Sequence, residues 1–170
     1  MPTVFFDTEF TTASEQGIRK LISIGCVAQT GEEFYCELAD TYHEGLCSDW
    51  VIQNVLPLLQ GGEYRMTEAE LAARLKEWVE GLGDKEVIFR SDRPELDWPW
   101  VEQLFTLYGC WPKNMRRKLG TIYFSHGHQT RRYQDALTEY WKENSARQHH
   151  ALIDARSFLF AWKRAIKRGV

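Results

Sequence analysis

The sequence predicts an α/β fold in which helices cover a mixed sheet. Residues 3–10, 21–28 and 33–38 are apolar stretches of strand length, joined by short connections. Such connections favour antiparallel neighbours, because parallel strands need a crossover of about a dozen or more residues. Two later apolar stretches, 86–91 and 119–124, alternate with segments of helical periodicity. A chain of 170 residues, 44% of them hydrophobic, predicts one domain over residues 1–170 with one substantial core.

The first predicted strand ends in two acidic residues. Its apolar run over residues 4–6 leads directly into Asp7, and Glu9 follows two positions later. Because side chains alternate along a strand, Asp7 and Glu9 share a face and lie about 7 Å apart. Neighbouring carboxylates repel each other unless a cation or a shared proton lies between them. A divalent metal ion is the simplest occupant, so this strand end is a candidate metal site.

The middle of the chain predicts helices that pack on the sheet. Residues 49–60 indicate a short helix interrupted near Pro57. The next helix has a clearer start, because Thr67 and Glu70 match a capping box, and its apolar stripe continues to Gly81.

Two further predicted helices each carry an acidic residue near the sheet edge. One begins close to Asp97, with Pro99 in its first turn, where no intrahelical N–H bond is lost. The last helix carries Asp154 on the flank of a buried stripe, directed toward a neighbouring strand end. That stripe consists of Leu152, Ala155, Phe158, Leu159, Trp162 and Ile166.

Composition excludes several classes of protein. A formal net charge of −3 argues against a protein that coats nucleic acid, although it leaves room for a local basic groove. The sequence has no apolar run of about 18 residues and no basic N-terminal segment, so we expect neither a membrane span nor a signal peptide and predict a cytoplasmic protein. The spacing of Cys26, Cys36, Cys47 and Cys110 predicts reduced thiols.

Four acids and a histidine together suggest hydrolytic chemistry. Taken alone, each is ordinary: an Asp-x-Glu at a strand end is usually a solvated edge, and an Asp near a helix start is usually a cap. Together, carboxylates from a strand end, a helix start and a helix flank can converge on two cations about 4 Å apart, the recurring arrangement for phosphodiester hydrolysis. The residues concerned are Asp7, Glu9, Asp97, Asp154 and either His149 or His150.

These residues resemble the DEDDh branch of the DEDD superfamily of 3′→5′ exonucleases. The apolar strand ending in Asp-x-Glu, residues 4–11, is similar to the first family motif, and the Asp that opens an amphipathic helix, residues 97–104, to the second. His149 through Asp154 gives the third motif, a histidine followed by four residues and an aspartate. The resemblance implies a ribonuclease H-like fold, with a mixed five-stranded sheet of three meandering strands followed by two parallel strands. More narrowly, the chain resembles small stand-alone bacterial and phage exoribonucleases.

The resemblance also implies a mechanism and a substrate. Two Mg²⁺ or Mn²⁺ ions would be held by Asp7, Glu9, Asp97 and Asp154, and His149 would be the general base. Phe10 and Thr11 would contact the terminal base and sugar of the substrate, and Trp98 would stack from the other wall, with core packing as its alternative role. The partner implied is single-stranded nucleic acid, RNA more than DNA, while a homodimer is left open.

Two positions depart from the family pattern. The second motif lacks the usual His-Asn before its aspartate and has Asp92 upstream, so Asp92 competes with Asp97 but lies in a turn rather than at the helix start. Helical spacing alone selects His150, four residues before Asp154, whereas the family spacing selects His149. Two other functions also fit the sequence: a ribonuclease H-like endonuclease, and a non-catalytic nucleic-acid-binding module on a nuclease fold.

Overall fold

Three antiparallel strands open the fold, as the short connections predicted. The computed structural model describes residues 2–11, 19–118 and 120–167. The strands are β1 (Thr3–Phe10), β2 (Leu21–Ala28) and β3 (Glu33–Leu38). Their register places Asp7 opposite Gly25 and Gly25 opposite Tyr35, so one row of residues crosses all three strands.

The sheet has six strands where the sequence predicted five. The additional strand is β4 (Arg65–Met66), which pairs in parallel with the outer edge of β3. β5 (Ile88–Ser91) pairs in parallel with β1, and β6 (Gly120–Thr121) pairs in parallel with β5. The strand order is β4-β3-β2-β1-β5-β6, a mixed sheet of the predicted class. Leu119, where the fifth strand was predicted to begin, lies outside the described residues.

Five α-helices flank the sheet within the described parts of the chain. They are α1 (Asp49–Asn54), α2 (Glu68–Gly81), α3 (Pro94–Leu107), α4 (Gly127–Asn144) and α5 (Ala151–Ile166). Short 3-10 turns cover Glu44–Leu46, Leu56–Leu58, Gly62–Tyr64 and Ser145–Arg147. None of the helices in these ranges is long and apolar enough to cross a membrane.

The helix starts follow local chemistry. α2 begins with the predicted capping box, in which the Thr67 hydroxyl accepts from the Glu70 N–H and the Glu70 carboxylate accepts from the Thr67 N–H. α3 begins at Pro94, earlier than predicted, because a proline at the first helical position has no intrahelical N–H bond to lose. Asp97 therefore lies within the first turn rather than at the start, and Pro99 is inside the helix rather than in its first turn.

Two hydrophobic clusters hold the layers together. On one face of the sheet, residues of β1 and β2 such as Val4 and Phe6 pack against α2 and α3. On the other face, Phe5 and Tyr35 pack against α5, and α4 packs on α5 in turn. Ile166, predicted in the buried stripe of α5, is 40% exposed, since the helix ends there.

Candidate active site

β1 brings two carboxylates to the face of the sheet that α5 covers. Phe5, Asp7 and Glu9 alternate onto one side of the strand, and Phe5 packs in the cluster that α5 completes. Loss of hydration is the main cause that raises the pKa of Asp7 and of Glu9 well above their ordinary values, and the negative charges of neighbouring acids add to it. The strand end is therefore a place where negative charge lacks compensation.

Asp97 is held by residues from two strand ends. Its Oδ1 atom accepts hydrogen bonds from the Thr8 N–H at 3.2 Å and the Thr8 hydroxyl at 2.6 Å, and its Oδ2 atom accepts one from the Ser91 hydroxyl. Burial raises the pKa of Asp97 to about 6, although these hydrogen bonds act to lower it. The hydrogen bonds fix the orientation of the carboxylate between β1 and β5.

Asp154 lies in the first turn of α5 and is tied to the segment before that helix. Its Oδ2 atom accepts the backbone N–H of His149 at 2.9 Å. Burial raises the pKa of Asp154 to about 7, even though this hydrogen bond acts in the opposite direction.

A glycine allows α5 to reach the other acids. Gly25 on β2 lies opposite Asp7 in the strand register. A Cβ atom at Gly25 would lie 2.2 Å from the Leu152 nitrogen and 2.4 Å from the Ala151 carbonyl carbon, far inside van der Waals contact. The start of α5 therefore rests directly on the backbone of β2, which brings Asp154 to the side of Asp7.

The acids form two groups that share one member. Asp7, Glu9 and Asp154 offer oxygen atoms within 4.8 Å of one another, and Asp7, Asp92 and Asp97 form a second group with the same spacing. All the donors are carboxylate oxygens, which are the ligands that Mg²⁺ and Mn²⁺ prefer. The donor set fits a hard divalent cation, and Asp7 belongs to both groups.

Asp92 and Asp97 both lie within reach of Asp7, so proximity alone does not choose between them. Asp92 follows β5 and is exposed, whereas Asp97 is buried and its two oxygen atoms are hydrogen-bonded. A ligand that is already oriented loses less conformational freedom when a cation binds. This anchoring favours Asp97.

The two histidines before α5 lie in different environments. His149 lines the cleft, and its ring meets Trp50 edge-on with 4.7 Å between ring centres. His150 is 5% exposed: its ring stacks on Tyr35 at 4.5 Å, and its Nε2 atom lies 2.9 Å from Gln60 Nε2. His150, which helical spacing selects, is therefore a core residue. His149, which the family spacing selects, is the histidine that lines the cleft.

His149 also has an unusual backbone. Its φ angle is 73°, the only positive φ of a non-glycine residue in the described ranges. A side chain in this conformation costs roughly 1–3 kcal/mol, so the surrounding structure must hold it there. Burial lowers the pKa of His149, which keeps the imidazole neutral near pH 7.

The residues predicted to contact substrate have different positions. Phe10 lines the cleft, with the Arg19 guanidinium carbon 5.4 Å from its ring centre and Trp100 packed at 5.9 Å. Thr11 is fully buried, and its hydroxyl accepts the Lys20 N–H at 2.9 Å, so its contact with a sugar stays a prediction.

Of the two roles left open for Trp98, the structure favours core packing. Trp98 is 6% exposed and belongs to the core cluster beneath α3, with Trp111 at 6.0 Å between ring centres. Asp97 lines the cleft, whereas Trp98 is not among the residues that line it. Core packing, the alternative role, is the one that the structure gives it.

Several cleft residues were missed by the sequence analysis. The cleft has a volume of about 530 Å³, and Trp50, half exposed, forms part of its wall beside His149. No periodicity distinguishes a tryptophan at a cleft from one in a core, so only the fold locates Trp50. The other lining residues that the sequence did not indicate include Arg19, Arg93, Leu137 and Trp141.

Comparison with solved structures identifies the fold. A zinc-bound complex of Escherichia coli exonuclease I with single-stranded DNA matches 96% of this chain with a TM-score of 0.56 and 14% identity. The complex of the same exonuclease with a 5cy-dA13 oligonucleotide matches 97% of this chain with a TM-score of 0.57 and 14% identity. This chain spans 40% of the length of those exonuclease chains. The likeness agrees with the predicted fold class, a ribonuclease H-like mixed sheet flanked by helices.

Comparison with protein-family models gave no match, and comparison with curated proteins gave none either.

Proposed function

We propose that the chain is a metal-dependent 3′→5′ exonuclease that releases nucleoside 5′-monophosphates from single-stranded nucleic acid, with residues 1–170 forming a single exonuclease domain. The observation that carries the proposal is the convergence of Asp7, Glu9, Asp97 and Asp154 with His149 in one cleft. The acids come from a strand and two helices, and their mutual repulsion destabilises the fold. Such a grouping is better explained by a ligand than by folding.

The acids would hold two divalent cations, Mg²⁺ or Mn²⁺. We assign Asp7, Glu9 and Asp154 to one ion, because their oxygen atoms lie close together, and Asp7 with Asp97 to the other. Asp97 is preferred to its neighbour Asp92 because hydrogen bonds already orient its carboxylate. Once bound, the two ions would lower the pKa of a water molecule and stabilise the negative charge that develops on the phosphodiester.

His149 would take the proton from the attacking water. A general base must be unprotonated at the working pH, and burial favours the neutral imidazole of His149. The ring is placed at the cleft wall by two contacts, the Trp50 indole beside it and the Asp154 carboxylate on its backbone N–H. Asp154 would thus both bind a cation and position the base.

The cleft walls suit the end of a single strand. The rings of Phe10 and Trp50 line the cleft, and base stacking on such rings tolerates any sequence. Arg19 and Arg93 also line it and would contact phosphate groups. A paired terminus would have to unpair before its last base could stack, so duplex should resist.

We favour RNA over DNA, and this finer choice rests on the resemblance to small exoribonucleases. The choice depends on which side chain meets the 2′-hydroxyl. DNA is the necessary parallel substrate in any test, because the solved exonuclease I complexes contain DNA oligonucleotides.

The decisive experiment follows 5′-labelled RNA and DNA strands of one sequence on a denaturing gel with Mn²⁺. We expect shortening in single-nucleotide steps, release of nucleoside 5′-monophosphates, and loss of activity in EDTA. Strands with a blocked 3′ end and blunt duplexes should remain intact.

Other results would favour one of the two alternative functions. Internal cleavage of the 3′-blocked strand would indicate the endonuclease. Retention of a labelled strand in a gel-shift assay without cleavage of any substrate would indicate the non-catalytic binding module.

The assignment of the base has its own test. His149→Ala should lower kcat by roughly a hundredfold or more, which is the usual contribution of a positioned general base. His43→Ala is the matched control, since His43 is exposed and does not line the cleft. Equal activity of the two variants would remove His149 from the mechanism.

A further inference from the structure

A buried acidic residue on β3 is not used by the proposed chemistry. Glu37 is 1% exposed, and among the described residues no lysine or arginine lies within ion-pair distance of it. Its Oε1 atom accepts hydrogen bonds from the Tyr35 hydroxyl at 2.9 Å and the Gln60 N–H at 2.6 Å, and its Oε2 atom accepts one from the Gly61 N–H at 2.9 Å. A buried carboxylate needs such donors in fixed positions. Glu37 therefore fixes the backbone at residues 60–61.

The Gln60 side chain extends this connection to His150. Its amide nitrogen lies 2.9 Å from His150 Nε2. The His150 ring also stacks on the ring of Tyr35. His150 Nδ1 is buried and has no hydrogen-bond partner among the residues that the structure describes. Gln60 is thus the one polar partner through which the described structure orients this ring.

His150 is joined by a peptide bond to the histidine at the cleft. His149 has its φ angle of 73°, and its N–H is hydrogen-bonded to Asp154. The His150 carbonyl in turn accepts the N–H groups of Ile153 and Asp154, at 2.8 and 3.0 Å. Whatever fixes His150 therefore fixes the backbone from residue 149 to residue 154.

We propose that Gln60 and His150 are positioning residues that hold the backbone of His149 in its left-handed conformation and so present its imidazole to the cleft. Glu37 anchors Gln60, and Tyr35 supports the His150 ring. This inference rests on the proposed function for its effect on catalysis. The geometric part, that the Gln60 contact stabilises the His149 backbone, does not depend on any activity.

Gln60→Met is the test variant. Gln60 is exposed, so a methionine of similar length removes the hydrogen bond to His150 without opening the core. Gln103→Met, at an exposed position of α3, is the matched control.

The first measurement is amide hydrogen exchange of His149 by NMR in the metal-free protein. In Gln60→Met we expect the His149 amide to exchange faster by about fivefold, since one hydrogen bond no longer supports its conformation. Amides of β2 and α2 should exchange as in the wild type. The Gln103→Met control should leave the exchange rate of the His149 amide unchanged.

The second measurement separates kcat from KM on a single-stranded substrate. Misplacement of the base should lower kcat of Gln60→Met by roughly tenfold or more and change KM by less than about twofold. A raised KM with unchanged kcat would make Gln60 a substrate contact and overturn the inference. Unchanged His149 exchange would overturn it as well, whatever the activity.

The two proposals fail in different ways. If the wild type hydrolyses no strand, the proposed function fails, and the exchange measurement alone decides whether Gln60 and His150 position His149. If the wild type is active and Gln60→Met matches it in both measurements, the positioning role is wrong and the nuclease stands.

Discussion

Replacement of Asp7 by asparagine should stabilise the metal-free protein, although Asp7 is proposed as an essential ligand. Asp7 belongs to both acid groups, whose oxygen atoms lie within 4.8 Å of one another. Two unit charges at that distance repel each other by roughly 3 kcal/mol at an effective dielectric constant of about 20. For a domain of this size, relief of one such repulsion corresponds to a rise in melting temperature of roughly 6–12 °C.

The rise in melting temperature caused by Asp7→Asn should be largest above neutral pH. Because the pKa of Asp154 is raised from 3.8 to about 7, the folded protein keeps a proton that the unfolded chain has already released. Metal-free stability therefore falls as pH rises through this interval. Burial lowers the pKa values of His149 and His150, so the unfolded chain binds these protons before the folded protein does as pH falls. Below about pH 6.5 the two histidines therefore make stability rise with pH, opposite to the effect of Asp154. Between about pH 7 and pH 9 both histidines are neutral in either state. The slope there comes from the acids of β1 and from the buried cysteine thiols, because burial raises the pKa values of both kinds of group.

The assay is thermal unfolding followed by circular dichroism, in EDTA and in Mn²⁺, at both ends of that pH range. Wild type should melt higher in Mn²⁺ than in EDTA, and Asp7→Asn should melt higher than wild type in EDTA but respond little to Mn²⁺. Asp84→Asn, an exposed acid away from the cleft, is the control and should behave as wild type. A wild type that Mn²⁺ does not stabilise, or an Asp7→Asn variant that melts lower in EDTA, would refute the idea of uncompensated carboxylates.

Three further substitutions test how the site is built. Gly25→Ala places a methyl group 2.2 Å from the Leu152 nitrogen, so α5 must shift, and Mn²⁺ affinity measured by calorimetry should fall by roughly 10–100-fold. Asp97→Asn should lower kcat on a single strand more than Asp92→Asn does, because Asp97 is the buried and anchored carboxylate; the reverse order would give the role to Asp92. Phe10→Ala should raise KM on single strands by roughly tenfold if its ring stacks on a base, and an unchanged KM would assign Phe10 to packing alone.

The strand framework could be predicted from the sequence because each N-terminal strand is a short segment rich in apolar residues, separated from the next by a polar loop or a turn. The bounds of β1 through β3 agree with those runs, and the capping box located the start of α2. β4 could not be predicted in this way, since Arg65 and Met66 form a strand only through their pairing with β3. A strand of only two residues is too short to show a periodic pattern in the sequence.

Errors near α3 have a single local cause. The sequence offers two prolines, Pro94 and Pro99, and either suits the first turn of a helix. The choice of Pro99 placed Asp97 at the helix start, whereas the helix begins at Pro94.

The site residues differ in whether the hydrophobic pattern of the sequence marks their positions. Asp7, Glu9 and Asp154 lie at element ends that the hydrophobic pattern itself marks, so their convergence could be expected. Gln60 lies between a 3-10 turn and a glycine pair, in a segment without periodicity, and its contact with His150 spans ninety positions of the chain. Contacts of that kind exist only once the fold has formed.

Register connects the fold to the candidate site. Asp7, Gly25 and Tyr35 form one row across β1, β2 and β3, and the segment from His150 to Asp154 lies over it, with His150 on Tyr35 and Leu152 on Gly25. A slip of one residue between neighbouring strands would turn each side chain to the opposite face. Asp7 would leave the cleft, and a residue with a Cβ would meet the start of α5. The close approach at Gly25 therefore excludes the shifted register by steric clash. In the correct register, repulsion among the acids destabilises the folded protein until a cation binds. The hydrophobic clusters on the two faces must supply the stability that this arrangement of charges removes.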